Sequence, residues 1–220
     1  MNQNIKIPFV DLYPQYEELQ SEIDLAIRDI ITRSDYITGP TVEKFEQAIM
    51  DYTGAEACAS IGSGTNALVC ALKALDIGPG HQVMTVGHTF VSTTEAIVNV
   101  GATPVFVDID EYYHLDVNKM ELTDTLKAIL FVDLYGQTPD IDKISNFAKQ
   151  FNLKVIEDAA QSFGSEYKGK KVGSVADLTC FSFNPVKNLG AMGDAGAVTG
   201  KKEYIDKVKM YRDHGRKTKF

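Results

Sequence analysis

Short apolar segments alternate with helical patterns along most of the chain. Runs of about five β-branched, aromatic and other apolar residues are bounded by glycine, proline, asparagine or aspartate, as is typical of buried strands. They predict strands near residues 57–61, 82–86, 103–107, 128–132, 153–156, 178–182 and 195–199. Apolar residues spaced three and four apart predict helices near residues 65–75, 91–99, 118–122, 141–151 and 203–212. This alternation predicts an α/β fold, a three-layer α/β/α sandwich with a mostly parallel sheet of about seven strands.

Two further helices are predicted before the first strand. In the first, which ends near Thr32, a helical stripe is formed by Tyr16, Leu19, Ile23, Ala26, Ile27 and Ile30. A stripe of this kind is typical of core or subunit packing. Pro40 suits the first turn of the second helix, because its missing N–H would have no partner there. Later in the chain, residues 168–171 predict a turn between two short strands.

Length and composition indicate one globular domain covering residues 1–220 and exclude several functions. The net charge of −8 and the pI of about 5.0 argue against a nucleic-acid partner. We expect no membrane association, since no apolar run is long enough to span a bilayer and residues 1–6 do not resemble a signal peptide. Cys58, Cys70 and Cys180 are scattered among apolar neighbours, as in reduced cytoplasmic proteins. The four histidines have no metal-ligand spacing, so no metal site is predicted.

Charged residues follow two of the predicted strands. Asp158 ends one strand, and Lys187 lies on a turn just beyond another, because Asn184 and Pro185 cannot continue a strand. Ligands of α/β proteins usually bind at such strand ends. A structural ion pair is one interpretation. The other is a pyridoxal phosphate (PLP) site, in which the lysine bonds to the cofactor aldehyde and the aspartate keeps the pyridine nitrogen protonated.

A glycine-rich turn, Gly62-Ser-Gly-Thr-Asn-Ala, follows the first strand and opens a helix. Backbone N–H groups and the helix dipole at such a turn favour a phosphate. Thr65 either adds a hydroxyl group to this site or caps the helix. The same letters fit a dinucleotide-binding fingerprint, but the next predicted strand ends in Gly87, His88 and Thr89, without the expected acid. Phe90 follows directly and is either a core residue or a flat face that stacks on a cofactor ring.

Six motifs together resemble the DegT/DnrJ/EryC1/StrS family of PLP-dependent sugar aminotransferases, which have the fold of aspartate aminotransferase. They are Asp-Tyr-Ile-Thr-Gly-Pro (35–40), Gly-Ser-Gly-Thr-Asn-Ala-Leu (62–68), Thr-Phe-Val-Ser-Thr (89–93), Leu-Tyr-Gly-Gln (134–137), Glu-Asp-Ala-Ala-Gln-Ser-Phe-Gly (157–164) and Ser-Phe-Asn-Pro-Val-Lys-Asn-Leu-Gly (182–190). The resemblance covers essentially the whole chain.

The resemblance implies a role for each matching residue. Lys187 would be the catalytic residue, bonded to PLP and later moving the substrate proton. Asp158 would pair with the pyridine nitrogen, Gln161 would contact the ring 3-oxygen and Phe90 would stack on the ring. The phosphate would be held by Gly64, Thr65 and Ser182.

The resemblance also implies the reaction and the partners. Glutamate would donate an amino group to a keto sugar linked to a nucleoside diphosphate, with a 3-keto-6-deoxyhexose favoured, in a cytoplasmic homodimer with a shared active site. Residues 1–220 would be the PLP-binding large domain with its N-terminal helical segment. The smaller C-terminal domain of the family would be absent, so the chain is expected to be a fragment. The alternatives are a PLP-dependent sugar dehydratase or lyase and a truncated, non-catalytic PLP-binding protein, and Lys187 favours transamination because histidine replaces it in related dehydratases.

Overall fold

The computed structural model describes residues 7–216 of the chain. The chain divides in sequence between Lys44 and Phe45 into two compact units. The α-helices are α1 (Tyr13–Arg33), α2 (Pro40–Thr53), α3 (Gly64–Ala74), α4 (Ser92–Asn99), α5 (Ile141–Gln150) and α6 (Lys202–Arg212). The strands are β1 (Ala57–Ile61), β2 (Gln82–Val86), β3 (Thr103–Val107), β4 (Leu126–Val132), β5 (Lys154–Asp158), β6 (Glu166–Tyr167), β7 (Lys170–Lys171), β8 (Leu178–Ser182) and β9 (Gly196–Gly200). Residues 1–6, which were predicted not to be a signal peptide, and the last four residues of the predicted domain, 217–220, lie outside the described residues.

The first unit contains α1, which buries none of its residues. Its predicted apolar stripe therefore does not contribute to a core: Leu19 and Ile27 are 42% and 44% exposed. The helix ends at Ser34, whose left-handed backbone (φ 55°) breaks the helical pattern. Close to this end Arg33 forms salt bridges with Asp29 and Asp35, at 2.7 and 3.2 Å.

The second unit is built on a seven-stranded sheet with the order β1-β9-β8-β5-β4-β2-β3. β9 runs antiparallel to both of its neighbours, and the other adjacent strands are parallel. Because β1 and β8 both oppose β9, they run in the same direction as β5. The carboxyl ends of β1, β2, β4, β5 and β8 consequently lie at one edge of the sheet.

Helices cover both faces of this sheet. The chain moves from β2 to β3 in one direction across the sheet and from β4 to β5 in the other. Since such crossovers are right-handed, α4 and α5 lie on opposite faces. The central strand β4 is buried at six of its seven positions, including Phe131 at 0% exposure. The predicted three-layer α/β/α fold and its mostly parallel sheet are confirmed.

All seven predicted sheet strands are present, and one predicted helix is wrong. Instead of a helix at residues 118–122, the chain forms a single 3-10 turn, Val117–Lys119. The Asp116 carboxylate accepts hydrogen bonds from the backbone N–H of Asn118 at 3.0 Å and from its side-chain amide at 3.1 Å. These bonds cap the start of the turn, which ends at Met120, where the backbone is extended (φ −68°, ψ 127°).

The short hairpin predicted around residues 168–171 is confirmed as β6 and β7. Lys168 and Gly169 both have positive φ, 50° and 78°, as the tight turn of a two-residue hairpin requires. No helix among the described residues is both long and apolar enough to cross a bilayer.

Candidate active site

The seven residues predicted for the site lie around one cavity of about 430 Å³ at the carboxyl edge of the sheet. They are Gly64, Thr65, Phe90, Asp158, Gln161, Ser182 and Lys187. They come from the ends of β1, β2, β5 and β8 and from the turns that follow. The structure thus brings together side chains that are more than a hundred residues apart in sequence.

One end of the cavity is the N-terminus of α3. Ser63 caps this helix, since its Oγ accepts a hydrogen bond from the backbone N–H of Asn66 at 3.1 Å. Thr65 is therefore not the cap. Its Oγ1 lies instead 2.7 Å from Oγ of Ser92. Both hydroxyl groups line the cavity beside the positive end of the helix dipole.

Close approach between α3 and β8 brings a third hydroxyl group to the same place. A Cβ atom added to Gly64 would lie only 2.7 Å from Cβ of Ser182, so the contact requires glycine. The hydroxyls of Thr65, Ser92 and Ser182 all line the cavity there. Three hydroxyl groups at a helix N-terminus form a suitable donor set for a phosphate.

Asp158 lies deeper in the cavity, at the end of β5, and is 5% exposed. Its Oδ2 accepts a hydrogen bond from Oγ1 of Thr93 at 2.7 Å, and its Oδ1 accepts one from the N–H of Ala160 at 3.2 Å. Oγ1 of Thr93 is in turn 2.8 Å from Oγ1 of Thr89. Burial raises the pKa of Asp158, while both hydrogen bonds and the positive charge of Lys187 act in the opposite direction.

Lys187 lies on the turn after β8, half-buried against the same cavity. The turn is organised by Asn184, whose backbone oxygen accepts the N–H of Lys187 at 2.8 Å and whose Oδ1 accepts the N–H of Val186 at 3.3 Å. The side-chain amide of Asn184 donates to Asp194 Oδ1 at 3.0 Å. These bonds fix the backbone that carries the lysine.

Gln161 and Phe90 complete the cavity. Oε1 of Gln161 accepts the backbone N–H of Tyr135 at 2.7 Å, which orients its side chain. Phe90 is 67% exposed, so it belongs to the wall of the cavity and not to the core. A second cavity of about 490 Å³ shares Gln161, Val186 and Lys187 with the first. Lys187 therefore borders two adjoining spaces.

Sequence reasoning did not assign a role to several residues that organise the site. Thr93 is the direct partner of Asp158, Ser92 pairs with Thr65, and Asp194 holds Asn184. The signal for Thr93 in the sequence was its spacing, since it is a hydroxyl residue one helical turn after Thr89. His88, just beyond the end of β2, packs against Tyr113, with 5.2 Å between the ring centroids.

The donor set fits PLP along the whole cavity. Hydroxyl groups and a helix N-terminus suit its phosphate, a buried carboxylate suits the pyridine nitrogen, and the amine of Lys187 suits the aldehyde. A cavity of this volume matches those that hold small ligands.

Three known proteins are similar to the chain over almost its whole length. The UDP-2-acetamido-2-deoxy-3-oxo-D-glucuronate aminotransferase of Pseudomonas aeruginosa is 41% identical over 97% of the chain and 61% of that protein. The UDP-N-acetyl-3-dehydro-alpha-D-glucosamine 3-aminotransferase of Acidithiobacillus ferrooxidans is 42% identical over 98% of the chain and 59% of that protein. The crystal structure of S. venezuelae DesV in complex with a ketimine intermediate superposes with a TM-score of 0.94 at 38% identity, covering 98% of the chain and 59% of DesV.

The chain thus spans about three fifths of the length of these relatives. A family model described as the DegT/DnrJ/EryC1/StrS aminotransferase family matches residues 17–220. This match confirms the resemblance predicted from the six motifs. The chain belongs to the DegT/DnrJ/EryC1/StrS aminotransferase family.

Proposed function

We propose that the chain is the PLP-binding part of an aminotransferase that moves an amino group from glutamate to a nucleotide-linked keto sugar. The observation that carries this proposal is the placement of Lys187 and Asp158 in one cavity, opposite the hydroxyl-lined N-terminus of α3. A structural ion pair would not need the hydroxyl groups or the open space. A 3-keto sugar is favoured, because the two enzymes from Pseudomonas and Acidithiobacillus are named for 3-oxo and 3-dehydro sugars.

In this proposal the described residues divide the binding of the cofactor among them. Gly64, Thr65 and Ser182 would hold the phosphate, and Phe90 would cover one face of the ring. Gln161 would contact the ring 3-oxygen. When bound, PLP supplies an electron-withdrawing ring that stabilises negative charge developing on the substrate carbon next to nitrogen.

Asp158 would keep a proton on the pyridine nitrogen. An anionic carboxylate is needed for this, and the hydrogen bonds from Thr93 and Ala160 favour the anion against the effect of burial. Lys187 Nζ would be the attachment point of the cofactor. Once free, the amine would move the proton of the reacting carbon, since its position between the two cavities gives it access to both spaces.

The second cavity would take the amino donor and the sugar in turn. It is open to solvent and borders Lys187, Gln161 and Tyr135. Tyr135 has a left-handed backbone, with φ 59° and ψ 18°, a strained conformation for a non-glycine residue that is often found at functional sites.

The proposal includes a homodimer in the cytoplasm. Phe90 and Val186, which are 67% and 61% exposed, form apolar surface at the first cavity, and such surface is typical of interaction sites. The three cysteines are free thiols, which fits a reducing compartment. Light scattering coupled to size-exclusion chromatography tests the dimer.

The cofactor is tested by adding PLP to the purified chain, reducing with borohydride and mapping the labelled peptide. We expect a pyridoxyl group on Lys187 and none in a folded Lys187→Ala variant. Lys202→Ala is the matched control, because Lys202 is exposed and, among the described residues, pairs with Asp206 on its own helix at 2.8 Å. Label on Lys202 but not on Lys187 would overturn the assignment.

The reaction is tested separately with glutamate. A chain loaded with PLP should convert glutamate to one equivalent of 2-oxoglutarate. A labelled Lys187 without 2-oxoglutarate would support cofactor binding and contradict transamination by this chain alone. Ammonia release with a keto sugar, without an amino-sugar product, would indicate the dehydratase or lyase alternative.

A further inference from the structure

Two carboxyl groups that have no assigned role are buried next to the candidate active site. Asp133 follows β4, and Glu157 is the penultimate residue of β5; both are 0% exposed. β4 and β5 are parallel neighbours with Phe131 opposite Glu157, so Asp133 and Glu157 face the same side of the sheet. Asp158, the next residue, faces the other side, towards the cavity. The pair therefore lies behind the cofactor site.

Each carboxyl group accepts one hydrogen bond from a buried hydroxyl group. Oγ of Ser162 donates to Oδ2 of Asp133 at 2.7 Å, and Oγ1 of Thr179 donates to Oε2 of Glu157 at 2.6 Å. The backbone N–H of Gly173 also contacts Glu157. The hydroxyl groups of Ser162 and Thr179 account for Oδ2 of Asp133 and Oε2 of Glu157.

The other oxygen of each group has no donor. Within residues 7–216, neither Oδ1 of Asp133 nor Oε1 of Glu157 has a hydrogen-bond partner, although both atoms are fully buried. Each carboxyl group acts on the pKa of the other as a hydrogen-bonding neighbour, and Oδ1 of Asp133 and Oε1 of Glu157 are the oxygens without another partner. Two carboxylates cannot bond to each other. A proton on one of them would satisfy both oxygens at once.

We propose that Asp133 is a protonated acid that donates a hydrogen bond to the Glu157 carboxylate, and that this pair positions the end of β5 and the turn behind the active site.

The electrostatics of the pair agree with a proton on Asp133. Burial, and then the negative charge of Glu157, raise the pKa of Asp133 well above its usual range. Burial also raises the pKa of Glu157, to about 7, while bonds from Thr179, Gly173 and Asp133 favour its anion. Glu157 has more donors than Asp133, which agrees with a carboxylate on Glu157 and a proton on Asp133.

The other titratable groups that face the pair are few. Asp158 acts on both carboxyl groups from the opposite side of the sheet, and its negative charge favours their protonation. The buried thiol of Cys180 on β8 lies near Glu157, and burial raises its pKa, so it is neutral. No described cation is among the groups that most strongly shift the pKa of either carboxyl group. Lys187 is the cation that acts on Asp158.

The hydrogen bonds of Asp133 explain how the pair positions the segment from Asp158 to Ser162. The backbone N–H of Asp133 donates to the carbonyl oxygen of Asp158 at 3.1 Å, and its side chain holds Ser162, the neighbour of Gln161. One residue thus fixes both ends of the short segment that carries two predicted cofactor contacts. A neutral Asp133 also leaves Asp158 with one anionic neighbour behind it instead of two. This role in the site rests on the proposed function, whereas the location of the proton does not.

Infrared spectroscopy of the purified 220-residue chain, without cofactor, tests the proton directly. At pH 8 ordinary carboxyl groups are ionised, so we expect one C=O stretch of a protonated, buried carboxyl group. The band should be absent in Asp133→Asn and present in Asp124→Asn, whose exposed aspartate is the matched control. If the wild-type chain shows no such band, the proposal is wrong, whether or not the variants fold. A band that survives in Asp133→Asn but disappears in Glu157→Gln would place the proton on Glu157 and overturn it as well.

The pH dependence of unfolding gives a second measurement. A folded-state pKa above the unfolded value stabilises the fold below the unfolded pKa, and this contribution is lost as pH rises. Between pH 6 and 8 native Asp133 holds one proton that the unfolded chain has released. In this pH range, the folding equilibrium constant of wild type should therefore fall about tenfold for each unit rise in pH, relative to that of Asp133→Asn. Asp124→Asn should parallel wild type. Parallel curves for wild type and Asp133→Asn would contradict the proposal.

Asp133→Asn should fold, because its amide supplies the donor that the proton supplies in wild type. Both measurements are made without PLP, so their failure is distinct from a failure of the proposed function. A chain that shows the band and the pH dependence but takes no label on Lys187 would retain the carboxyl pair and lose the cofactor assignment.

Discussion

The end of β5 carries two consecutive carboxyl groups that the fold treats in opposite ways. Asp158 faces the cavity, where Thr93 and Ala160 donate to both of its oxygens and the charge of Lys187 attracts it. Glu157 faces the other side of the sheet, where Oε2 accepts from Thr179 and Oε1 has no hydrogen-bond partner among the described residues. Both residues are at most 5% exposed.

Burial alone therefore does not decide the charge of these groups. Desolvation is the largest contribution to the raised pKa of both Asp158 and Glu157. The donors that face each oxygen make the difference, because only a hydrogen-bonded carboxylate remains ionised in a buried site. The side facing the cavity is arranged to hold an anion, and the side behind it is arranged to share a proton. Three substitutions separate the two sides.

The largest effect is expected for Asp158→Asn. This change keeps the shape of the side chain but removes the charge proposed to pair with the pyridine nitrogen. Truncating one partner of a buried charge pair costs about 2–5 kcal/mol, so PLP affinity should fall by roughly 30-fold or more. Absorbance titration with PLP measures the affinity, with Asp124→Asn as the exposed control. Unchanged affinity in Asp158→Asn would contradict the role of Asp158.

A smaller effect is expected for Thr93→Val, which removes the hydrogen bond to Oδ2 of Asp158 without changing the size of residue 93. A hydrogen bond to a charged group contributes about 1.5–3 kcal/mol. Loss of the donor should raise the pKa of Asp158 further. PLP binding, which needs the anion, should then weaken at a higher pH than in wild type as the solution is acidified.

PLP titrations at a series of pH values test this prediction. The acid limb of the affinity profile should move to higher pH in Thr93→Val, while affinity at alkaline pH changes little. An acid limb that stays in place would show that Thr93 does not control the charge of Asp158.

The sequence allowed the positions of the site residues to be predicted, but not the contacts between them. Asp158 and Lys187 were recognisable because each follows an apolar strand, and parallel strands end at a common edge. The phosphate end was recognisable from a glycine-rich turn that opens a helix. Neither inference required the order of the strands in the sheet.

The contacts that set the charges do depend on that order. Thr93 and Asp158 are 65 residues apart, and Asp133 meets Glu157 only because β4 and β5 are neighbours in a particular register. Periodicity gives the strands without their order, so these contacts were not predictable. Local backbone geometry produced the other differences: Ser63 instead of Thr65 caps α3, and the chain becomes extended at Met120, within the helix predicted at residues 118–122.

The smallest effect on the cofactor is expected for Thr179→Val, the counterpart of Thr93→Val on the side of the sheet behind the site. It removes the donor to Oε2 of Glu157, and a buried acceptor left without a partner costs about 1–3 kcal/mol of stability.

The cost of Thr179→Val should depend on pH. Glu157 has a folded-state pKa of about 7, above its unfolded value, so its contribution to stability is present at low pH and lost as pH rises through 7. The anion that forms there needs the donor more than the neutral acid does, and Thr179→Val should therefore be more destabilising at pH 8 than at pH 6. Thermal unfolding at the two pH values measures this, and PLP affinity should change less than in Thr93→Val. Equal destabilisation at both pH values, or an acid limb that moves as far as in Thr93→Val, would show that the two sides of the strand do not act separately.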